Sequence, residues 1–164
     1  MSVRPSRILL DTNVWLDAFL PGRVHKEAAC SVLALSQRAR IDLLYPVHIL
    51  PDVFYLSLID LKRNLARLYP DRQELCAQAA RTTAWEFVNT MREVATAVGA
   101  DQADVWLACK REPLHDDVED NLVVAAAERA KADFLVTSDR KLIAHSPVAT
   151  LSPEDMVALL ATTL

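Results

Sequence analysis

A chain of 164 residues that is 52% hydrophobic and 24% charged can bury roughly two-thirds of its unfolded surface in one core, and its composition excludes a disordered, collagen-like or coiled-coil architecture. Its two glycines are Gly22 and Gly99, so neither a GxxxxGK[ST] phosphate loop nor a GxGxxG dinucleotide fingerprint can be present. The 18 Lys+Arg against 22 Asp+Glu leave a net charge of −4, which excludes general polyanion binding and restricts any nucleic-acid contact to local or cation-bridged sites.

Arg4 and Arg7 precede an apolar triplet, but Asp11 and Asp17 interrupt what would be a signal-peptide core, and no long uncharged apolar run follows. Cys30, Cys76 and Cys109 have no CxxC spacing and are odd in number, the pattern of core thiols in a reducing compartment. A cytoplasmic protein without membrane contact is expected.

Residues 7–10 form a short apolar run ending on Asp11, followed by helical spacing through Val14, Trp15, Ala18 and Phe19. This predicts a buried strand feeding a helix. Pro21-Gly22 marks a turn, and Ala28, Val32, Leu35 and Ala39 continue at helical spacing to Arg40. Ile41 to Tyr45 is a second apolar run, closed by Pro46; residues 47–69 are helical in pattern until Tyr69-Pro70 stops them, and carry Asp52, Asp60, Lys62, Arg63 and Arg67. Gln73 to Arg92 reads as one long helix, with Cys76, Ala80, Phe87 and Met91 near one face. A short strand is expected at Val94–Val98, a helix at Gln102–Lys110, an alanine-rich helix from Asp116-Asp117 to Ala130, and strands at Phe134–Val136 and Val148–Leu151. Ser152-Pro153-Glu154-Asp155 is a helix start, with Ser at the cap, Pro at the first position and acids in the first turn.

Apolar strands alternating with helices imply βα units and a parallel sheet covered on both faces, with the functional crevice beyond the carboxyl ends of the strands. Leu9-Leu10-Asp11-Thr12-Asn13 and Leu135-Val136-Thr137-Ser138-Asp139 each deliver an acid with hydroxyl or amide neighbours to that crevice. A single acid at a strand end also serves as a helix cap, so either position alone leaves both roles open. Asp52 and Asp120, however, lie early in two further helices, so carboxylates recur at several βα junctions. Acids gathered together repel unless a cation lies among them, and hard oxygen donors favour Mg²⁺ or Mn²⁺.

The stretches Ile8-Leu9-Leu10-Asp11-Thr12-Asn13-Val14, Asp117-Val118-Glu119-Asp120-Asn121-Leu122 with its Val/Ala run, and Phe134-Leu135-Val136-Thr137-Ser138-Asp139 resemble the PIN-domain family, whose bacterial members include VapC-type toxins. The resemblance spans nearly the whole chain. Ser146-Pro147-Val148 with Leu151-Ser152-Pro153-Glu154 is similar to the closing strand and helix of one subgroup of small bacterial PIN proteins. It implies a Rossmann-like α/β/α sandwich around a parallel sheet of about five strands, in a single PIN-like domain over residues 1–164 with a helical elaboration around 71–93. The implied activity is Mg²⁺- or Mn²⁺-dependent endoribonuclease cleavage of RNA, as in the toxin of a type II toxin–antitoxin pair. An antitoxin protein and a second copy of the chain, as a homodimer, are the candidate partners.

Carried over by position, Asp11 matches the first acid and Asn13 the amide that orients it. Asp120 matches the third, and Asp139 the last, directly after Thr137 and Ser138. The second acid of the family is usually Glu; Asp52, after Pro51, holds its place with one methylene fewer, so it reaches a metal only if its helix approaches more closely. Asp117 either extends the metal site or joins Asp116 as cap and first-turn acid of its helix. Arg140 and Lys141 lie just beyond Asp139 and are the candidate phosphate-binding residues.

His25, His48, His115 and His145 form no HExxH pair, and surface or packing roles are expected for them. Trp15, Trp85 and Trp106 lie in helical patterns and are expected in the core. Two other readings compete with the nuclease. In a phosphoaspartyl phosphatase or receiver-type domain Asp11 would be the nucleophile, although Asn at position 13 departs from the DxD pattern. A catalytically weak PIN-like protein would bind RNA or a partner without cutting it, which the shorter Asp52 favours.

Overall fold

The computed structural model describes residues 4–163. Its strands β1 (Arg7–Leu10), β2 (Asp42–Pro46), β3 (Thr96–Val98), β4 (Phe134–Val136) and β5 (Thr150–Leu151) form one sheet in the spatial order β3-β2-β1-β4-β5. Every neighbouring pair is parallel, and Leu9 of the central strand faces Leu44 on one side and Leu135 on the other. Ile8, Leu9 and Leu10 are fully buried, as an unbroken apolar run must be in a strand covered on both faces.

Eight helices connect and flank the strands among the described residues: α1 (Thr12–Phe19), α2 (Lys26–Arg38), α3 (Leu50–Leu68), α4 (Gln73–Val94), α5 (Gln102–Lys110), α6 (Val118–Arg129), α7 (Arg140–His145) and α8 (Pro153–Thr163). The chain steps one way from β1 to β3, then returns past β1 to β4 and β5. Right-handed crossovers therefore put α1–α4 on one face of the sheet and α5–α6 on the other. Packing agrees with this: α1 contacts α2 and α3, α3 lies along α4, and α8 joins α2, whereas α5 packs on α6 and α6 on β2 and β4. The alanine-rich run Val123–Ala127 of α6 is buried, and its small side chains allow the helix to lie close to the strands.

Several elements differ from the sequence reading. The third strand begins at Thr96 because α4 continues to Val94, and α7 was not expected. Trp15 is fully buried, but Trp85 is 55% and Trp106 74% exposed. Cys76, Ala80, Ala84 and Met91 form the buried face of α4, so Trp85, one residue beyond Ala84, faces outward and packs beside Phe54. Only Cys76 is a core thiol; Cys30 and Cys109 are exposed. No helix among the described residues is long and apolar enough to cross a membrane.

The N-terminus of α5 is tied to the end of α6 by charge. Asp101 caps α5 in a reciprocal capping box with Asp104. Arg129 then donates to Asp104 from Nε (3.0 Å) and Nη2 (2.7 Å) and pairs with Asp101. The guanidinium and the backbone donors hold both carboxyls below the usual carboxylate range.

Candidate metal centre

The strand order reverses between β1 and β4, which opens the crevice at their carboxyl ends. Asp11 leaves β1 there with its backbone still in the sheet, its N–H donating to the Val136 carbonyl. Its side chain is 4% exposed. The carboxylate accepts from the Thr12 N–H at Oδ1 (2.7 Å), and from Asn13 Nδ2 (2.9 Å) and the Thr137 hydroxyl (2.8 Å) at Oδ2. Asn13 also donates to Thr137 Oγ1 and accepts from the Ser138 N–H, and Thr137 Oγ1 accepts from the Asp139 N–H. Asn13, Thr137 and Ser138 thus lock the ends of β1 and β4 together. Burial nevertheless pushes the Asp11 carboxyl up to about 6 against these donors, and the charges of Asp120 and Glu119 push it the same way.

The other acids come from α3, α6 and α7. Asp120, in the first turn of α6, is held above its ordinary value by burial, with Asp117 and Asp139 adding repulsion and His115 opposing it. Asp139 caps α7, its Oδ1 accepting from the Lys141 and Leu142 N–H groups. Asp117 caps α6, its Oδ1 accepting from the Glu119 and Asp120 N–H groups; the capping alternative therefore accounts for its position, while its charge still presses on the cluster. Asp52 is half-buried in the first turn of α3, and its charge reaches Glu119. Arg140 and Lys141 are exposed at the start of α7, and Lys141 lines a cleft with Asp116, His115 and His145.

Four residues were not anticipated as part of the site from the sequence. Glu119 accepts from the Thr12 hydroxyl (3.2 Å), and its carboxyl is raised by burial and by the charge of Asp52. Asp17 is a buried acid on α1, neutralised by Arg23 (2.8 Å) and bonded by the Ser138 hydroxyl (3.2 Å). His115 is buried, and its Nε2 lies 2.6 Å from Asp120 Oδ2. His48, one turn before Asp52, has both ring nitrogens buried without a hydrogen-bond partner among the described residues.

Asp11, Asp52, Glu119, Asp120 and Asp139 therefore form one electrostatic group, and among the described residues no Lys or Arg makes an ion pair with any of them. No three His, Cys, Asp or Glu side chains among the described residues stand at metal-ligand spacing. The donor set fits a hard divalent cation: it is all carboxylate oxygen, and its most buried member, Asp11, lacks a positive neighbour.

No curated protein matches the chain. Among solved structures, VapBC2 from Rickettsia felis, bound to a DNA fragment from their promoter, matches at a TM-score of 0.60 and 13% identity, covering 89% of this chain and 98% of that one. At that identity the likeness is one of fold. The sequence model of the PIN domain matches residues 7–141, from the first residue of β1 to the start of α7. With that match spanning every acid of the crevice, the chain belongs to the PIN-domain family.

Proposed function

We propose that the protein is a metal-dependent endoribonuclease. The PIN-domain family is one of nucleases, and the observation that carries the reading here is Asp11: a buried carboxylate at the switch point of the sheet, acted on by the charges of Asp120 and Glu119 and making no ion pair with a Lys or Arg among the described residues. Asp11, Asp120 and Asp139 would hold Mg²⁺ or Mn²⁺, with Asp52 and Glu119 at the margin. A bound divalent ion supplies an activated water and offsets charge on the leaving oxygen of a phosphodiester. Asn13 and Thr137 keep the Asp11 carboxylate fixed in rotamer, so little rearrangement is needed when the ion enters. Arg140 and Lys141, exposed directly after Asp139, would take up phosphates of an RNA strand beside the reacting one.

The phosphatase reading calls for a second acid two residues after Asp11, where this chain has Asn13, whose Nδ2 donates to the Asp11 carboxylate. The role of a type II toxin, with an antitoxin protein as partner, is the biological setting we propose. The large apolar side chains Tyr55, Leu56 and Ile59, exposed on α3, leave surface for such a partner. The direct test is cleavage of single-stranded RNA by the purified chain. We expect cleavage with Mg²⁺ or Mn²⁺ and none in EDTA; undiminished cutting in EDTA would refute the mechanism.

A further inference from the structure

We infer that His115 is a positioning residue for the acidic centre: its imidazole donates to Asp120 and fixes which carboxylate oxygen is turned toward the other acids. The inference rests on the metal-dependent reading above. A carboxylate that binds a cation is ionised and can only accept hydrogen bonds, so across the 2.6 Å contact between Nε2 and Oδ2 the proton belongs to His115 Nε2. What is held is the backbone that carries the ring: the residue is 9% exposed, its backbone N–H donates to the Arg111 carbonyl (3.0 Å), and its backbone carbonyl accepts from Nδ2 of Asn121 (2.8 Å), a residue 4% exposed.

The need for this contact follows from what surrounds Asp120. Asp11 has three donors on its carboxylate, whereas among the described residues Asp120 has no side-chain hydrogen bond other than the one from His115. Asp117 and Asp139 repel it. Without the imidazole, an aspartate in the first turn of a helix is free to rotate toward water. With it, Oδ2 is occupied and Oδ1 is left for a cation. Hydrogen-bonded supports of this kind govern how well a ligand set is organised before the metal arrives, and their loss typically weakens metal binding roughly 10–100-fold.

The test compares His115→Gln, which keeps an N–H donor, with His115→Met, which is similar in length and has none. Mn²⁺ alone is titrated into the metal-stripped full chain and free Mn²⁺ is read by electron paramagnetic resonance, with melting in EDTA as the control for folding. We expect His115→Gln to bind near the parent affinity and His115→Met to bind roughly 10–100-fold more weakly. Equal affinity in parent and His115→Met, or equal loss in both variants, overturns the inference. Asp11→Asn separates the two levels of the argument. If it binds Mn²⁺ as the parent does, the metal reading falls, and with it the role of His115. If it loses Mn²⁺ while His115→Met does not, only the role of His115 falls. Should His115→Met fail to fold, nitrogen-15 resonances of the parent imidazole decide the matter: a protonated Nε2 is expected, and a bare Nε2 overturns the assignment.

Discussion

Helix α6 has an acid group at each end, and the two groups are handled in opposite ways. At its C-terminal end Arg129 reaches Asp104 and Asp101, and with the guanidinium in place both carboxyls stay below their ordinary range. At its N-terminal end Asp120 and Glu119 meet Asp11, Asp52 and Asp139, and there Asp11, Glu119 and Asp120 are all raised. The fold therefore has cations and uses them to neutralise acids where it needs only to join helices. In the crevice no Lys or Arg among the described residues pairs with Asp11, Asp52, Glu119, Asp120 or Asp139, and a divalent ion would answer that charge.

Exchanging charge at the two ends should have unlike effects. The largest is on activity: Asp11→Asn or Asp120→Asn should reduce RNA cleavage by at least about 100-fold, the scale on which metal-ligand networks respond, with folding preserved by circular dichroism. Asp104→Asn should leave the cleavage rate per folded molecule unchanged. Stability should invert that ranking. Removing Arg129 with Arg129→Met strips the partner from Asp101 and Asp104 and should lower the melting temperature, whereas Asp11→Asn in EDTA should melt at the parent temperature or above it.

The pH dependence sharpens the contrast. Asp11 ionises near 6 in the folded chain against 3.8 for an ordinary aspartate, so the folded state holds its proton more tightly than the unfolded state does. Its stabilising contribution is complete below about pH 3.8 and is lost as pH rises through about 6. The shift from 3.8 to about 6 amounts to about 3 kcal/mol. Urea unfolding in EDTA should therefore show Asp11→Asn gaining on the parent by up to that amount between acid and neutral pH, less what its altered hydrogen bonds cost. A constant difference across this range would mean that Asp11 carries no such burden. The smallest effect is expected at Asp52, where Glu should keep or raise cleavage across a Mn²⁺ titration and Ala should lower it, with a change in stability of only about 0.3–1 kcal/mol for the helix terminus. Equal rates and equal metal midpoints in parent and both variants would remove Asp52 from the centre.

What the sequence made legible depends on how directly position follows from the backbone. Asp11 and Asp139 sit one and three residues beyond strand ends, and a parallel sheet delivers such residues to one edge whatever the details of packing. Asp120 could be found because its helix precedes the Thr137-Ser138-Asp139 strand end. Glu119 could not, because its place beside Thr12 depends on how α6 is rotated against α1. His115 lies in the turn after α5, and nothing in local spacing indicates that the turn folds back onto Asp120. Trp85 and Ala84 differ by one residue, yet one faces water and the other the core; which face α4 presents is decided by its packing along α3. Helix α7, Arg140–His145, is too short for periodicity to reveal, though Asp139 before it was visible as a cap.

The central proposal is that the crevice acids bind a divalent cation, in contrast to Asp101 and Asp104, which Arg129 already pairs. It is tested most directly by melting the metal-stripped parent, Asp11→Asn and Asp104→Asn at neutral pH with and without Mg²⁺. A ligand stabilises only through the state that binds it, so Mg²⁺ should raise the melting temperature of the parent and of Asp104→Asn and leave Asp11→Asn unmoved. An equal rise in all three, or no rise in the parent, would contradict the account.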